Sequence, residues 1–345
     1  MKKYLLAAAL LIVISSSGIA SAAPGTKTPL IQGRAYIYWQ NDLSGNTADR
    51  FDINRLYLDL KHDLDADAAV RVTTDIARET YDQDSGSAAD TRLHVYLKYA
   101  YVELNELDKR LPFIGLRTIR LGQSATHWID FMQKYWQFRY VAKTLTDENS
   151  FFHSADMGLV FLGRIDLDRS LFYGDNSLSY QATLMNGEGY KEGELNPGKD
   201  VALRLAFSSR NEATGQQFTL AGGALIEDLR AFESVAPEPA TKLTVMAAYQ
   251  LPQPARLLLF IEYANQLSSP VGGTSLGGQI GLGPQLNLFV RVDRFRQVTG
   301  QQDLQVVGLE YPWGKDLKLA LDYQREVHDG QAAAQLLSLH AQVNW

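Results

Sequence analysis

The sequence predicts a transmembrane antiparallel β-barrel of about sixteen strands. Its central signal is an alternation of apolar and polar residues with a period of two, in stretches of about ten residues. A soluble sandwich also alternates, but its strands usually have five or six residues. Full charges on the polar faces and connections that alternate between short and long favour a barrel around a water-filled lumen.

The amino-terminal segment is expected to be a cleaved Sec signal peptide, residues 1–22. It has a basic start at Lys2 and Lys3, an apolar run and an Ala20-Ser21-Ala22 site. An uncleaved membrane anchor is the alternative, although the apolar run is far shorter than the ~20 residues of a spanning helix. Residues 23–345 are then expected to form one barrel domain.

Composition limits the chemistry that the chain can perform. The sequence contains no Cys, which excludes disulfides, thiolate nucleophiles and Cys-ligated metal or haem sites. The formal charge of −6 argues against nucleic acid as a partner. No cofactor and no metal site are therefore expected.

Sixteen strands account for the length of the mature chain. In the second strand, for example, Leu56, Leu58 and Leu60 share one face, and Tyr57 and Asp59 share the other. The expected strands are 30–40, 51–62, 68–79, 91–104, 115–123, 154–163, 178–187, 199–208, 217–226, 240–250, 255–265, 273–282, 284–295, 303–313, 315–324 and 335–345.

The fourth strand is predicted from "RLHVYLKYAYVE", residues 92–103. Strict alternation places Tyr99 and Tyr101 on the apolar outer face with Leu97, and it places Lys98 on the lumenal face. An even number of strands puts both chain termini at the same end of the barrel.

Residues 124–153 interrupt the alternation with eight aromatic residues in thirty. This aromatic content is unusual for a solvated surface loop, so the third loop is expected to fold into the lumen and narrow it. The helix-like spacing of Phe131, Lys134, Tyr135 and Phe138 favours a short helix there. A lid over the mouth and a subunit contact are the alternatives. The candidate constriction residues are Trp128, Asp130, Tyr135 and Arg139.

The last strand ends on an aromatic residue. This arrangement resembles the carboxyl-terminal signal of outer-membrane proteins, which the barrel-assembly machinery reads and which usually ends on Phe. The resemblance assigns the signal to the alternate residues Leu337, Leu339, Ala341, Val343 and Trp345.

The whole mature chain resembles Gram-negative outer-membrane porins. The stretch "FDINRLYLDLKHDLDADAAVRV" (51–72) and the strand "SADMGLVFLG" (154–163) are similar in style to the phosphate-selective porin O/P group. The resemblance implies passive diffusion of small hydrophilic solutes or ions through the outer membrane. It also implies contact with the lipid bilayer and lipopolysaccharide, and a homotrimer. The chain is acidic and has no lysine-dense lumen, so phosphate specificity does not follow.

The second to fifth strands carry a local excess of positive charge on their polar faces. Basic rings suit anion pores, so weak anion preference is expected here, with loops carrying acids such as Asp82, Asp84, Asp90, Asp147 and Glu148. The alternative is that these cations pair with Asp59, Asp75 and Glu79 and only brace the wall. The pore-lining candidates are Arg55, Lys61, Arg71, Arg92, Lys98 and Arg120.

Other functions have weaker support in the sequence. The Asp triplet at 63–67 resembles a calcium loop but lacks its Gly and Glu, so a tight turn is expected. A barrel that sheathes an electron-transfer cytochrome would have a smoother lumen. An outer-membrane hydrolase would need a Ser-His-acid group, for which no local motif is present. A structural or adhesive barrel would favour longer outer loops.

Overall fold

A computed structural model shows a closed barrel of sixteen strands, in which each strand pairs antiparallel with its neighbours in sequence and the last strand closes on the first. This confirms the predicted fold. The predicted signal peptide lies outside the described residues. The structure describes residues 28–45, 48–78, 92–109, 112–168, 174–194, 196–229 and 240–345.

The strands are 10 to 14 residues long, and their bounds lie within a few residues of those predicted. They are β1 Leu30–Asp42, β2 Arg50–Asp63, β3 Ala68–Arg78, β4 Leu93–Leu104, β5 Leu116–Ala125, β6 Ala155–Leu167, β7 Asp175–Met185, β8 Lys199–Arg210, β9 Gln217–Leu229, β10 Thr241–Leu251, β11 Leu257–Gln266, β12 Gly272–Gly281, β13 Asn287–Gln297, β14 Gly300–Trp313, β15 Leu317–His328 and β16 Ala334–Asn344.

The two ends of the barrel differ. One end carries the start of β1 and the end of β16, and we call it the terminal end; the opposite end is called the loop end. Connections at the terminal end are mostly short, although the connection from β4 to β5 is longer and contains the 3₁₀ segments Leu107–Lys109 and Pro112–Ile114. The loop end carries the long connection 126–154, called the inward loop. Among the described residues, no helix is long and apolar enough to cross a membrane.

Alternating burial separates the two faces of each strand. In β13, Val290 and Val292 are 46% and 52% exposed on the outer face, whereas Arg291 and Asp293, which alternate with them, are 1% and 3% exposed. The period of two in the sequence therefore becomes an apolar outer face and a polar lumenal face. This pattern is that of a barrel whose interior is hydrated or filled by protein.

The fourth strand departs from strict alternation. Between β3 and β4, Thr73 pairs with Tyr99 and Thr74 pairs with Leu97, so Lys98 is an extra residue at a register shift. A bulge adds one residue to a strand and reverses the faces beyond it. Lys98 and Tyr99 are both buried in the lumen, and Tyr101 follows them inward while Leu97 and Val102 face outward. The predicted outward placement of Tyr99 and Tyr101 is therefore wrong.

The barrel closes at a seam between β1 and β16. Backbone bonds join Gly33 N to Trp345 O at 2.9 Å and Trp345 N to Gly33 O at 3.1 Å. The indole of Trp345 lies over Gly33, because a Cβ on this glycine would come within 2.0 Å of the ring. A bulky aromatic ring thus covers the glycine gap across the seam.

Candidate pore and constriction loop

The inward loop fills much of the lumen with its aromatic side chains. Trp128 and Trp136 are 0% and 1% exposed, and Phe138 and Tyr140 are equally buried. These rings pack against lumenal side chains of the barrel wall in one hydrophobic cluster. The prediction that the third loop folds inward is confirmed, and the alternative of a lid over the mouth is not what the structure shows.

Hydrogen bonds fix the loop to the wall on the side of β8 to β14. The indole of Trp128 donates to Glu262 at 2.6 Å. The hydroxyl of Tyr140 donates to Glu310 at 2.9 Å. The guanidinium of Arg204 donates to the backbone oxygen of His127 at 2.7 Å. Buried carboxylates need such donors, so the polar wall and the loop satisfy each other.

Ring contacts reinforce this attachment. Phe138 stacks on Phe289 with the centroids 4.2 Å apart. The guanidinium of Arg291 lies 4.4 Å from the ring centroid of Trp136. A buried cation over an indole contributes about 2 kcal/mol. The loop is therefore a packed part of the barrel interior.

Two short helices shape the loop, α1 Ile129–Met132 and α2 Leu145–Glu148. The predicted short helix is present, but it ends before Tyr135 and Phe138. Arg139 pairs with Asp147 of α2. The acidic residues Asp147 and Glu148, expected in an outer loop, therefore belong to a helix of the inward loop.

His127 is buried at the start of the inward loop. Burial and the nearby Arg204 guanidinium lower the pKa of His127 to about 3. The ring packs edge-on against Phe152 at 4.8 Å. Its Nε2 atom has no hydrogen-bond partner in the described part of the chain. The imidazole is thus neutral at physiological pH.

The loop leaves a cavity of about 660 Å³ that reaches the terminal end of the barrel. It lies between the inward loop and the wall formed by β1 to β4, because the loop packs on the opposite wall. The lining residues are Leu30, Ile31, Gln32, Gly33, Arg34, Tyr36, Tyr57, Asp59, Lys61, Arg71, Thr73, Lys98, Tyr99, Asp130, Gln133, Arg139, Lys315, Asp316, Asn344 and Trp345.

Positive charge prevails in this cavity. Its lining includes six Lys and Arg side chains but only three Asp side chains. Asp59 pairs with Arg71 at 2.7 Å and with Lys61 at 3.3 Å, so one carboxylate serves two cations. Charges that face each other across a narrow passage act strongly on a passing ion.

Lys98 is the most distinctive of these cations. Its ammonium lies 5.1 Å from the ring centroid of Tyr57 and 5.7 Å from that of Tyr99. The residue is 4% exposed, and no described carboxylate lies within ion-pair distance of it. The hydroxyl of Tyr57 is also buried without a hydrogen-bond partner among the described residues. Aromatic faces thus hold a cation that pairs with no acid in the described part of the chain.

The structure separates the pore-lining candidates into groups. Lys61, Arg71 and Lys98 line the cavity. Arg55 and Arg120 face the lumen but lie outside the cavity lining, paired with Asp75 at 2.5 Å and Glu103 at 2.6 Å.

Arg92 is exposed and directly precedes β4 at the loop end. The alternative of wall-bracing pairs thus describes several of these cations. The predicted charge balance also included acidic residues of the wall and loops that lie outside the described residues, namely Glu79, Asp82, Asp84 and Asp90.

The constriction candidates also divide. Asp130 and Arg139 line the cavity, whereas Trp128 and Tyr135 are buried against other parts of the protein. Sequence reasoning did not select Gln133 or Tyr36, which line the cavity as well. Gln133 follows α1 and faces the basic wall, a position that only the path of the loop determines.

Comparison with solved structures places this architecture among bacterial outer-membrane proteins. OprB of Pseudomonas putida is 10% identical, covers 92% of this chain and 94% of its own, and has a TM-score of 0.64. The anion-selective porin from Comamonas acidovorans is 11% identical over 92% of this chain and 99% of its own, with a TM-score of 0.56. The chain has the fold of outer-membrane porins.

A third similar structure is the in-vitro folded trimer form of OmpT, an outer-membrane protein of Vibrio cholerae. It is 12% identical over 92% of this chain and 99% of its own, with a TM-score of 0.54. No protein-family model matches the sequence, and no curated protein matches it. At these identities the likeness concerns the fold.

One buried acid–histidine pair bears on the hydrolase alternative. In the lumen, Nε2 of His340 lies 2.9 Å from Asp322. This contact lacks the geometry of a hydrogen bond, and among the described residues no serine hydroxyl bonds either ring nitrogen of His340. Nucleophilic catalysis needs the nucleophile within reach of the base. The pair instead packs beneath Tyr140, whose ring centroid lies 6.3 Å from the ring centroid of His340.

Proposed function

We propose that this protein is a passive diffusion channel of the Gram-negative outer membrane for small hydrophilic solutes or ions. The terminal end would face the periplasm, and the loop end would face the exterior, as short and long connections usually do. The signal peptide at 1–22 would direct export through the periplasm. The outer face would contact lipid and lipopolysaccharide, and three copies would assemble as a homotrimer.

The observation that carries this proposal is the cavity between the inward loop and the β1 to β4 wall. A water-accessible space in a sixteen-stranded barrel, narrowed by an internal loop, fits selection by width and wall charge. The excess of cations, with Lys98 unpaired by any described acid, supports a weak anion preference. No described group in the cavity suggests a reacting nucleophile and base.

A sheath for a cytochrome fits the lumen poorly. Such a partner would need most of the barrel width, and the inward loop occupies that space with Trp128, Trp136 and Phe138 buried against the wall. The remaining cavity of about 660 Å³ holds a small molecule and no protein domain.

A single introduced cysteine tests where current flows. The chain has no Cys, so Gln133→Cys supplies one thiol in the cavity. In planar bilayers, a bulky thiol reagent should remove most of the single-channel conductance of this variant. Gln137→Cys is the matched control, since Gln137 is exposed on the same loop outside the cavity lining. Undiminished current after complete modification of Gln133→Cys would contradict the proposed passage.

A further inference from the structure

The fourth loop, of which the structure describes residues 186–194 and 196–198, sends the side chains of Tyr190 and Lys191 to the β4 wall, where both contact Tyr96. It connects β7 to β8, yet Tyr190 contacts β2, β3 and β4 on another part of the wall. The hydroxyl of Tyr190 donates to Asp75 at 2.7 Å. Arg55 donates to the same hydroxyl at 3.2 Å. One phenol thus ties the fourth loop to a charged pair more than a hundred residues away.

Arg55 and Asp75 form the binding position of the Tyr190 side chain, which we call its seat, and this position is specific for a phenol. Arg55 and Asp75 pair at 2.5 Å, and the Asp75 side chain is 0% exposed. Burial, and next the Asp75 carboxylate, raise the pKa of Tyr190, so its hydroxyl keeps the proton that it donates. Asp75 therefore depends on Tyr190 and Arg55 for the hydrogen bonds that a buried carboxylate requires.

The ring of Tyr190 adds contacts to the same place. It meets Tyr96 edge-on at 6.3 Å, and the ammonium of Lys98 lies 5.6 Å from its centroid. Lys98 also lines the cavity, but Tyr190, Arg55 and Asp75 do not. Tyr57 and Thr73 line the cavity, and Arg55 and Asp75 lie two residues nearer the loop end on the same strands, so Tyr190 lies on the loop-end side of the cavity.

The backbone around Tyr190 is built for a sharp turn. Gly187 and Gly189 have φ values of +120° and +78°, a region that other residues adopt with strain. A Cβ on Gly189 would also come within 2.7 Å of the His153 ring of the inward loop. These glycines let the chain turn and project Tyr190 into the lumen, while the backbone N–H of Gly187 donates to Asp156 at 2.6 Å and fixes the start of the loop.

We infer that Tyr190 is a latch that closes the loop end of the passage and must leave its seat on Arg55 and Asp75 for a solute to pass. This inference rests on the proposed function. The latch acts through the hydroxyl and ring of Tyr190, with the Lys191 ammonium beside it over Tyr96, in contrast to the inward loop, which is packed along its length.

Thiol labelling from outside intact cells tests the latch. In Gln133→Cys, expressed in cells that lack other porins, a membrane-impermeant thiol reagent added outside should react slowly while Tyr190 is seated, because it then cannot reach the open terminal end through the periplasm. Adding Tyr190→Phe, which removes only the hydroxyl, should raise the labelling rate by about tenfold or more, since a hydrogen bond to a charged group is worth roughly that factor. Tyr190→Ala should raise it further. Heat-modifiable migration on gels confirms that each variant is folded.

The matched control is Tyr323→Phe, which removes a hydroxyl that donates to Gln335 at 3.0 Å at an exposed site. It should leave the labelling rate unchanged. Equal rates in the Gln133→Cys parent, Tyr190→Phe and Tyr190→Ala would overturn the latch. Labelling reports access and current reports conduction, so the two proposals can fail separately. Faster labelling with Tyr190→Phe, together with current that survives modification of Gln133→Cys, would keep the latch and refute the conducting passage.

Discussion

At the scale of single residues, His127 makes the attachment of the inward loop sensitive to acid. Its pKa is about 3 in the folded protein, against about 6.5 in an unfolded chain. The unfolded chain therefore binds an extra proton between these values. The contribution of His127 to the free energy of unfolding is fully present above about pH 6.5, and it is lost as the pH falls toward 3.

Urea unfolding at pH 7 and pH 4 tests this residue. Relative to His127→Gln, the parent should lose on the order of 2–3 kcal/mol more of its free energy of unfolding between the two pH values. His328→Gln is the control, because the His328 side chain is 47% exposed. If His127→Gln shows the same acid loss as the parent, the buried neutral imidazole is not responsible for it.

At the scale of elements, the strands were predictable and their irregularities were not. Alternation in β2, β3 and β13 gives the correct outer face because lumen and exterior differ in polarity. The bulge at Lys98 could not be predicted from alternation, because the sequence "HVYLKYAYVE" is compatible with either register. The contacts of Tyr190 with Arg55 and Asp75 could not be predicted either, because these residues lie far apart in sequence and no local pattern connects them.

The β1–β16 seam gives a prediction at the same scale. Deleting Trp345, or changing it to Asp, should lower the folded amount in the outer membrane several-fold, because the ring covers Gly33 and the backbone of both residues pairs. Trp345→Phe should retain assembly. The folded fraction is read from heat-modifiable migration on gels. Trp313→Asp, at the same end but away from the seam, is the control. Normal insertion without Trp345 would refute its assembly role.

At the scale of the whole molecule, sequence predicted the barrel, its strand number and the inward loop. It predicted the basic wall only in part. Three of the six candidates line the cavity, whereas Arg55 and Arg120 are held in ion pairs outside its lining and Arg92 is exposed at the loop end. Which side stays open depends on the partners of Trp128 and Tyr140 across the barrel, and single-sequence periodicity contains no information on those contacts.

The reversal potential of the open channel in a salt gradient across a planar bilayer is the most direct test of the account. A cavity with more cations than acids predicts weak preference for the anion, and Lys98→Gln should shift the potential toward cations. Arg294→Gln should leave it unchanged, because the Arg294 side chain is 71% exposed and away from the cavity. A strongly cation-selective parent channel, or a Lys98→Gln channel with the parent's potential, would contradict the assignment of this wall as the conducting surface.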